Sequence, residues 1–332
     1  MSQRTRVCIV STVNESENVV DSFIRYHLTI GFAHIFLYFD NPHDSAISIA
    51  QRYPQVSAIP SNERLRQQQQ QLRIFPSVSA FVHEIMARQI LNVETAIEFA
   101  LEMSMHWILH IDGDELFYTS GSITEHFENT PHSVGQVGYR NFEAVPETWE
   151  VRDYFREATL FKKHEHLLPP RAAQEYKQLL NRENYFLGYG NGKSAARVVP
   201  GLLPSGVHEF TTTPAHAETL SCSGGPVVLH YNHCGFENYE RKYRRLGADN
   251  WLGVPIPFDF YRESRSQAGN RDGLSSLYRR EVLIDDPGVV QQLIDRGILT
   301  RIEGPTNLLR QNRRCSEWEI QVTTEDFPLT DL

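Results

Sequence analysis

The sequence has little of what would place it in a specialised class. Four cysteines in 332 residues (Cys8, Cys222, Cys234 and Cys315) are irregularly spaced, so there is no disulfide framework and no CxxC pair. A zinc site from Cys222, His230, His233 and Cys234 has poor ligand spacing. No apolar run reaches membrane-spanning length. The opening "MSQRTRVCIVSTVNESENVV" lacks a small-residue cleavage site and reads as a first strand, not a signal peptide. A cytoplasmic location is therefore expected. Bases are outnumbered, 32 against 41 acids, for a net charge of −9. That balance argues against nucleic acid as a partner, and no like-charge run marks a polybasic membrane patch. Glycine is missing from "TVNESEN", so the dinucleotide fingerprint is absent, and no Walker sequence occurs.

What is present is ordinary globular material, 40% hydrophobic and 22% charged. Residues 6–13 and 34–40 read as buried strands, and 56–60 as a third. Helical spacing over 18–30, ended by Gly31, and a second helix over 44–53 separate them. The pattern is β-α-β-α-β, which predicts an α/β fold with a mostly parallel, Rossmann-like central sheet flanked by helices. Further expectations are a solvated helix or loop at "RQQQQQLR" (66–73), a long helix over 78–105 and a strand over 107–111. A short helix over 122–129 and a strand-like segment over 134–145 follow. Late strands are expected in 192–201 and 225–234, a helix over 236–247, and a mostly helical part beyond 250.

The first two strands end in polar residues: Asn14 and Glu15, then Asp40. Ligands bind at such carboxyl edges. The strand 107–111 ends in "HIDGDELF", where Asp112, Asp114 and Glu115 crowd around Gly113. Hard oxygen ligands so arranged suit Mg²⁺ or Mn²⁺ completed by substrate phosphates, and a cation would relieve their repulsion. A surface turn with capping acids is the plainer alternative. An aspartate-nucleophile phosphatase would normally place its acids after the first strand.

Four blocks then carry a resemblance. "VVDSFIRYHLTIGFAHIFLYFDN", "AIEFALEMSMHWILHIDGDELF", "GKSAARVVPGLLPSGVHEF" and "VLHYNHCGFENYERKYRR" occur in order within residues 6–245. Together they resemble glycosyltransferase family 92 and its bacterial family 2-like relatives. The resemblance implies a type A glycosyltransferase fold, a nucleotide diphosphate sugar donor (a UDP-sugar favoured), a divalent metal on the DxD, and inversion at the anomeric carbon. It divides the chain into a catalytic domain, 1–250, and a C-terminal helical extension, 251–332. Within the catalytic domain, 1–118 is the nucleotide-sugar half and 119–250 the acceptor half.

On this reading Asp114 is the principal metal ligand, with Asp112 on the metal or the donor ribose. His208 and His230 are candidates to complete the metal shell. Thr12, Asn14, Glu15 and Asp40 line the nucleoside, and Lys193, Arg197 and Lys242 offer cations to the phosphates. Glu143 is the expected general base, with Glu209 and Asp153 as competitors. Trp149 and Trp251 are sugar-stacking candidates. The acceptor is a glycan or other hydroxyl compound. A nucleotidyltransferase is the alternative enzyme, although its glycine-rich basic loop is missing. A non-catalytic glycan-binding relative is the alternative outside enzymes.

Overall fold

The computed structural model describes residues 4–222, 225–246 and 250–311. A central sheet holds β1 (Val7–Val13), β2 (His34–Phe39), β3 (Val56–Pro60), β4 (Trp107–His110), β6 (Val134–Tyr139), β9 (Lys193–Arg197) and β10 (Glu218–Cys222). Its order is β10-β6-β9-β4-β1-β2-β3. A second sheet holds β5 (Glu115–Tyr118), β7 (Asn141–Ala144), β8 (Leu160–Lys162), β11 (Val227–His230) and β14 (Leu299–Arg301), in the order β14-β8-β7-β11-β5. A small hairpin joins β12 (Asn250–Trp251) to β13 (Val254–Pro255).

Strand β1 shows why the sheet is central. Val7, Ile9 and Val13 face one apolar cluster with Val19, Val20, Phe23 and Ile24 of the helix Glu17–Ile30. Cys8 and Val10 face the other way, against Val93, Ala96 and Ile97 of the helix Ile85–Glu102. Alternate residues of an extended strand point to opposite faces, so a strand with apolar residues on both faces must be covered on both. Gly31 ends the first helix in the left-handed region, at φ 111°, where the lack of a Cβ removes the steric cost.

The central sheet is mixed: six of its seven strands run the same way, and one, β9, is reversed. Strands β1, β2, β3 and β4 are mutually parallel, as are β6 and β10. Strand β9 runs antiparallel to both β4 and β6. The carboxyl ends of β1, β2 and β4 therefore share an edge with the amino end of β9. That edge holds Asn14, Asp40, the acidic turn and Lys193.

The expected strand over 134–145 breaks at Arg140 into β6 and β7, which enter different sheets. The expected helix over 78–105 starts only at Ile85, after the short helix Phe75–Val78 and a single 3-10 turn. The 44–53 helix shrinks to Ile47–Ala50. In the polar run, Gln69 is buried and donates to Asn92 Oδ1 at 2.8 Å, so that stretch is not wholly solvated. The part beyond 250 is woven into the fold. Strand β14 pairs with β8, and Leu309 in the helix Gly304–Gln311 is buried, its carbonyl accepting from Arg156. Residues 312–332 and the Trp251 side chain lie outside the described residues. Among the described residues no helix is long and apolar enough to cross a membrane.

Candidate active site

The acidic turn is built by close approach. A Cβ on Gly113 would stand 2.9 Å from Val13 Cγ1 and 3.4 Å from Glu15 Cγ. Only glycine lets the turn lie against the end of β1 without displacing it. Glu115 begins β5 fully buried, and its Oε2 accepts from the Asp112 N–H at 2.7 Å. Its other oxygen, Oε1, is buried without a partner. Burial, reinforced by the charges of Asp112 and Asp114 against the pull of Lys193 3.8 Å away, drives the Glu115 carboxyl well above the usual range.

Two lysines answer the two aspartates. Lys193 Nζ lies 2.7 Å from Asp112 Oδ2, and Gln89 Nε2 donates to Asp112 Oδ1 at 2.8 Å. Lys242 Nζ lies 2.9 Å from Asp114 Oδ2 and also reaches the Asn232 side chain. Burial alone would raise both carboxyls. The Lys193 ammonium at Asp112, and the Lys242 ammonium with His230 at Asp114, outweigh it and hold them below the usual range. Each aspartate of the turn is thus matched by an ammonium.

At the carboxyl edge of β1 and β2, the residues expected to line a nucleoside each have protein partners. Thr12 Oγ1 accepts from Asn92 Nδ2 at 2.8 Å. Asn14 accepts from Arg245 through both its carbonyl and its side chain, at 2.9 and 2.8 Å. Asp40 receives a fork from Arg88, with Nε 2.6 Å from Oδ1 and Nη2 2.9 Å from Oδ2. Glu15 is half-buried beside Asp114. Burial first, and Asp114 second, push its carboxyl up to about 7.

The second sheet delivers a polar row to the same turn. By register Glu115 faces His230, His230 faces Glu143, and Glu143 faces Lys162. All four are buried. His230 Nε2 stands 3.8 Å from Asp114 Oδ1, and its Nδ1 is buried without a partner. Burial lowers its pKa despite the pull of Asp114, so the ring is neutral and able to ligate. Tyr189 stacks on His230 with centroids 4.8 Å apart and meets His208 edge-on at 4.6 Å. Nδ1 of His208 bonds the Gly192 carbonyl at 2.7 Å, and burial lowers its pKa to about 4.

Several expected residues sit elsewhere or are engaged. Arg197 is four residues beyond Lys193 on an extended strand, roughly 13 Å away at ~3.4 Å per residue. It pairs with Trp107 at the opposite end of β4 and donates to the carbonyls of Val134, Thr130 and Pro131. It cannot serve phosphates at the acidic edge. Glu143 is ion-paired with Lys162 through Oε1, while Oε2 accepts from the amides of Leu187 and Gly188 at 2.9 and 3.3 Å. Asp153 is buried in a network with Ser22 and Arg156, and Glu209 is exposed. Trp149 stacks on Phe236 at 4.4 Å and lies under Arg279, as part of an apolar cluster. Sequence reasoning missed Arg88, Gln89 and Asn92. Their signal was three polar residues within five positions near the start of the helix Ile85–Glu102, among the apolar Ala87, Ile90 and Leu91.

No family model matches this chain. Two proteins of Arabidopsis thaliana, both named glycosyltransferase-like, resemble it along nearly its whole length. One is 27% identical over 98% of this chain and 77% of its own length; the other is 28% identical over 94% and 64%. The chain thus spans under two thirds of the second relative. Solved structures overlap weakly. Core-mannan synthase A from Aspergillus fumigatus, in a Mn/GDP form, gives a TM-score of 0.30 at 8% identity, covering 59% of this chain and 60% of its own. The S. cerevisiae mannosyltransferase Ktr4p in complex with GDP gives 0.23 at 10%, covering 58% and 56%. Overlaps this low transfer neither fold nor chemistry.

Proposed function

We propose that this chain transfers a sugar from a nucleoside diphosphate sugar to a hydroxyl acceptor. The observation that carries the reading is the pairing of Asp112 and Asp114 with Lys193 and Lys242, at the edge where β1, β2 and β4 end. Such an edge binds nucleotides in α/β sheets, and this one offers both carboxylates for a cation and ammonium groups for a diphosphate. The likeness to glycosyltransferase-like proteins over nearly the whole chain supports the same class.

The donor set fits a Mg²⁺ or Mn²⁺ ion. Asp114 Oδ1 is not taken by an ammonium, and neutral His230 stands across from it at 3.8 Å. Such ions commonly take one or two protein ligands and complete their shell with water and phosphate. When bound, the ion neutralises charge on the departing nucleoside diphosphate. Around it, Lys242 holds the diphosphate in place, while the fully buried Lys193, expected as a phosphate ligand, stays on Asp112. Asp40, kept in position by Arg88, accepts hydrogen bonds from the nucleoside, with Thr12 and Asn14 beside it. A UDP-sugar donor, a glycan acceptor and inversion complete the proposal.

Glu143, the base expected from sequence, has both oxygens engaged. We assign it instead to holding the 187–188 backbone, so that Tyr189 packs on His230.

The test is a panel of UDP- and GDP-sugars with Mn²⁺ or Mg²⁺, read as donor hydrolysis and thermal shift. One donor should be hydrolysed, and Asp114→Asn should lose that turnover with its melting temperature retained. No hydrolysis and no thermal shift across the panel would refute the reading.

A further inference from the structure

We propose that Lys242 is a lock on Asp114 that the donor's diphosphate opens, so that a divalent cation enters only together with the nucleotide. The proposal rests on the glycosyltransferase reading above.

The first ground is charge. Asp112 and Asp114 are already balanced by Lys193 and Lys242, at 2.7 and 2.9 Å. A lone divalent cation would add two uncompensated charges to a centre with little access to water, which is costly. A nucleotide sugar brings about two negative charges on its diphosphate, so ion and donor together restore the balance.

The second ground is the supply of donor atoms. Both Asp112 oxygens are engaged, by Gln89 and Lys193. On the two aspartates that leaves only Asp114 Oδ1 clear of an ammonium, with His230 Nε2 3.8 Å away. Among the described residues no group of three or more His, Cys, Asp or Glu side chains is placed to hold a metal. Water and phosphate oxygens must supply the rest of the shell.

The third ground is that the two lysines differ in freedom. The Lys193 side chain is 0% exposed, also bonds the Val207 carbonyl at 3.3 Å, and lies under the Tyr189 ring. The Lys242 side chain is 33% exposed, on the last turn of the helix Phe236–Arg245. Its flexible four-carbon stem lets the ammonium move from Asp114 to an arriving phosphate. Lys193 is the fixed counter-ion and Lys242 the movable one.

The experiment counts bound Mn²⁺ by electron paramagnetic resonance. Wild type, Lys242→Met and Lys242→Arg are each titrated with and without UDP or GDP, and nucleotide binding is followed by calorimetry. In wild type, nucleotide should raise Mn²⁺ affinity at least about tenfold, and Mn²⁺ should raise nucleotide affinity by the same factor. Lys242→Met should take up Mn²⁺ without nucleotide, and its coupling factor should fall towards one. Lys242→Arg should keep the lock. Equal Mn²⁺ binding by wild type with and without a nucleotide that itself binds would overturn the lock and leave the nucleotide-sugar reading standing. So would a Lys242→Met variant as nucleotide-dependent as wild type. Failure of both UDP and GDP to bind in every arm would overturn both.

Discussion

His27 offers the sharpest quantitative prediction. It is fully buried in the helix Glu17–Ile30, with Nδ1 2.9 Å from the Phe23 carbonyl and Nε2 accepting the Phe117 N–H at 3.2 Å. The ring is edge-on to Phe23, Tyr26 and Phe32. It pins the first helix to β5, immediately after the acidic turn. Protonation would place a second hydrogen where Nε2 must accept, inside an apolar cage. Burial accordingly lowers its pKa from 6.5 to about 3. A folded pKa below the unfolded one means that the folded state resists protonation. Its contribution is complete above pH 6.5 and is lost as pH falls towards 3. At pH 5 the loss is about 1.5 × 1.36, or about 2 kcal/mol. His27→Gln keeps a donor and an acceptor but does not titrate. Urea denaturation followed by tryptophan fluorescence at pH 7.5, 6.5, 5.5 and 5.0 measures both proteins. The variant should be less stable at pH 7.5, yet lose about 1.4 kcal/mol less per pH unit below 6.5. Parallel pH dependences would refute the buried-neutral assignment. His34 and His110, lowered by burial to about 4 and about 3, add to the wild-type slope without altering the difference.

Gly113→Ala forces a Cβ to 2.9 Å from Val13 Cγ1 and should cost about 1–3 kcal/mol; an unchanged melting temperature would show that the turn has room. Lys193→Met strands the Asp112 carboxylate and should cost roughly 2–3 kcal/mol, while adding Asp112→Asn should recover part of it. A double-mutant cycle by chemical denaturation that shows no coupling would contradict the pairing. Glu143→Gln leaves the buried Lys162 ammonium without its carboxylate and should be destabilising by about 3 kcal/mol or more. The turnover of the folded fraction should keep its pH profile; loss of one limb of that profile would restore Glu143 as the base.

The early fold was legible because it is local. The apolar run of β1, the stop at Gly31 and the apolar run into the acidic turn are each decided within a few residues. Sheet membership is not local. Val134–Tyr139 and Asn141–Ala144 read as one strand-like segment, yet they join different sheets because β6 pairs with β9 and β7 with β11. Nothing near Arg140 announces the switch. The reversal of β9 is equally silent in its own sequence, and it decides the fate of two cations. Entering antiparallel at the acidic edge, β9 places Lys193 on Asp112 and carries Arg197 to the far end beside Trp107. The two residues were equivalent as phosphate ligands until the strand direction was known.

The same limit governs the reading of the acidic turn itself. Its neighbours in sequence are acids, so local reasoning finds repulsion and infers a vacancy for a cation. Its neighbours in space include ammonium groups supplied 81 and 128 residues further along the chain. Those groups turn an unstable cluster into a balanced one and remove the need for a metal in the resting protein. The functional question therefore becomes what can displace the balance. On the proposed reading a diphosphate would compete for Lys242, and a divalent cation for Asp114. Each competitor alone leaves half of the cluster uncompensated, whereas the two together exchange one neutral set for another. A site built in this way favours ion and anion arriving as a pair, which is the form in which a nucleotide sugar is presented.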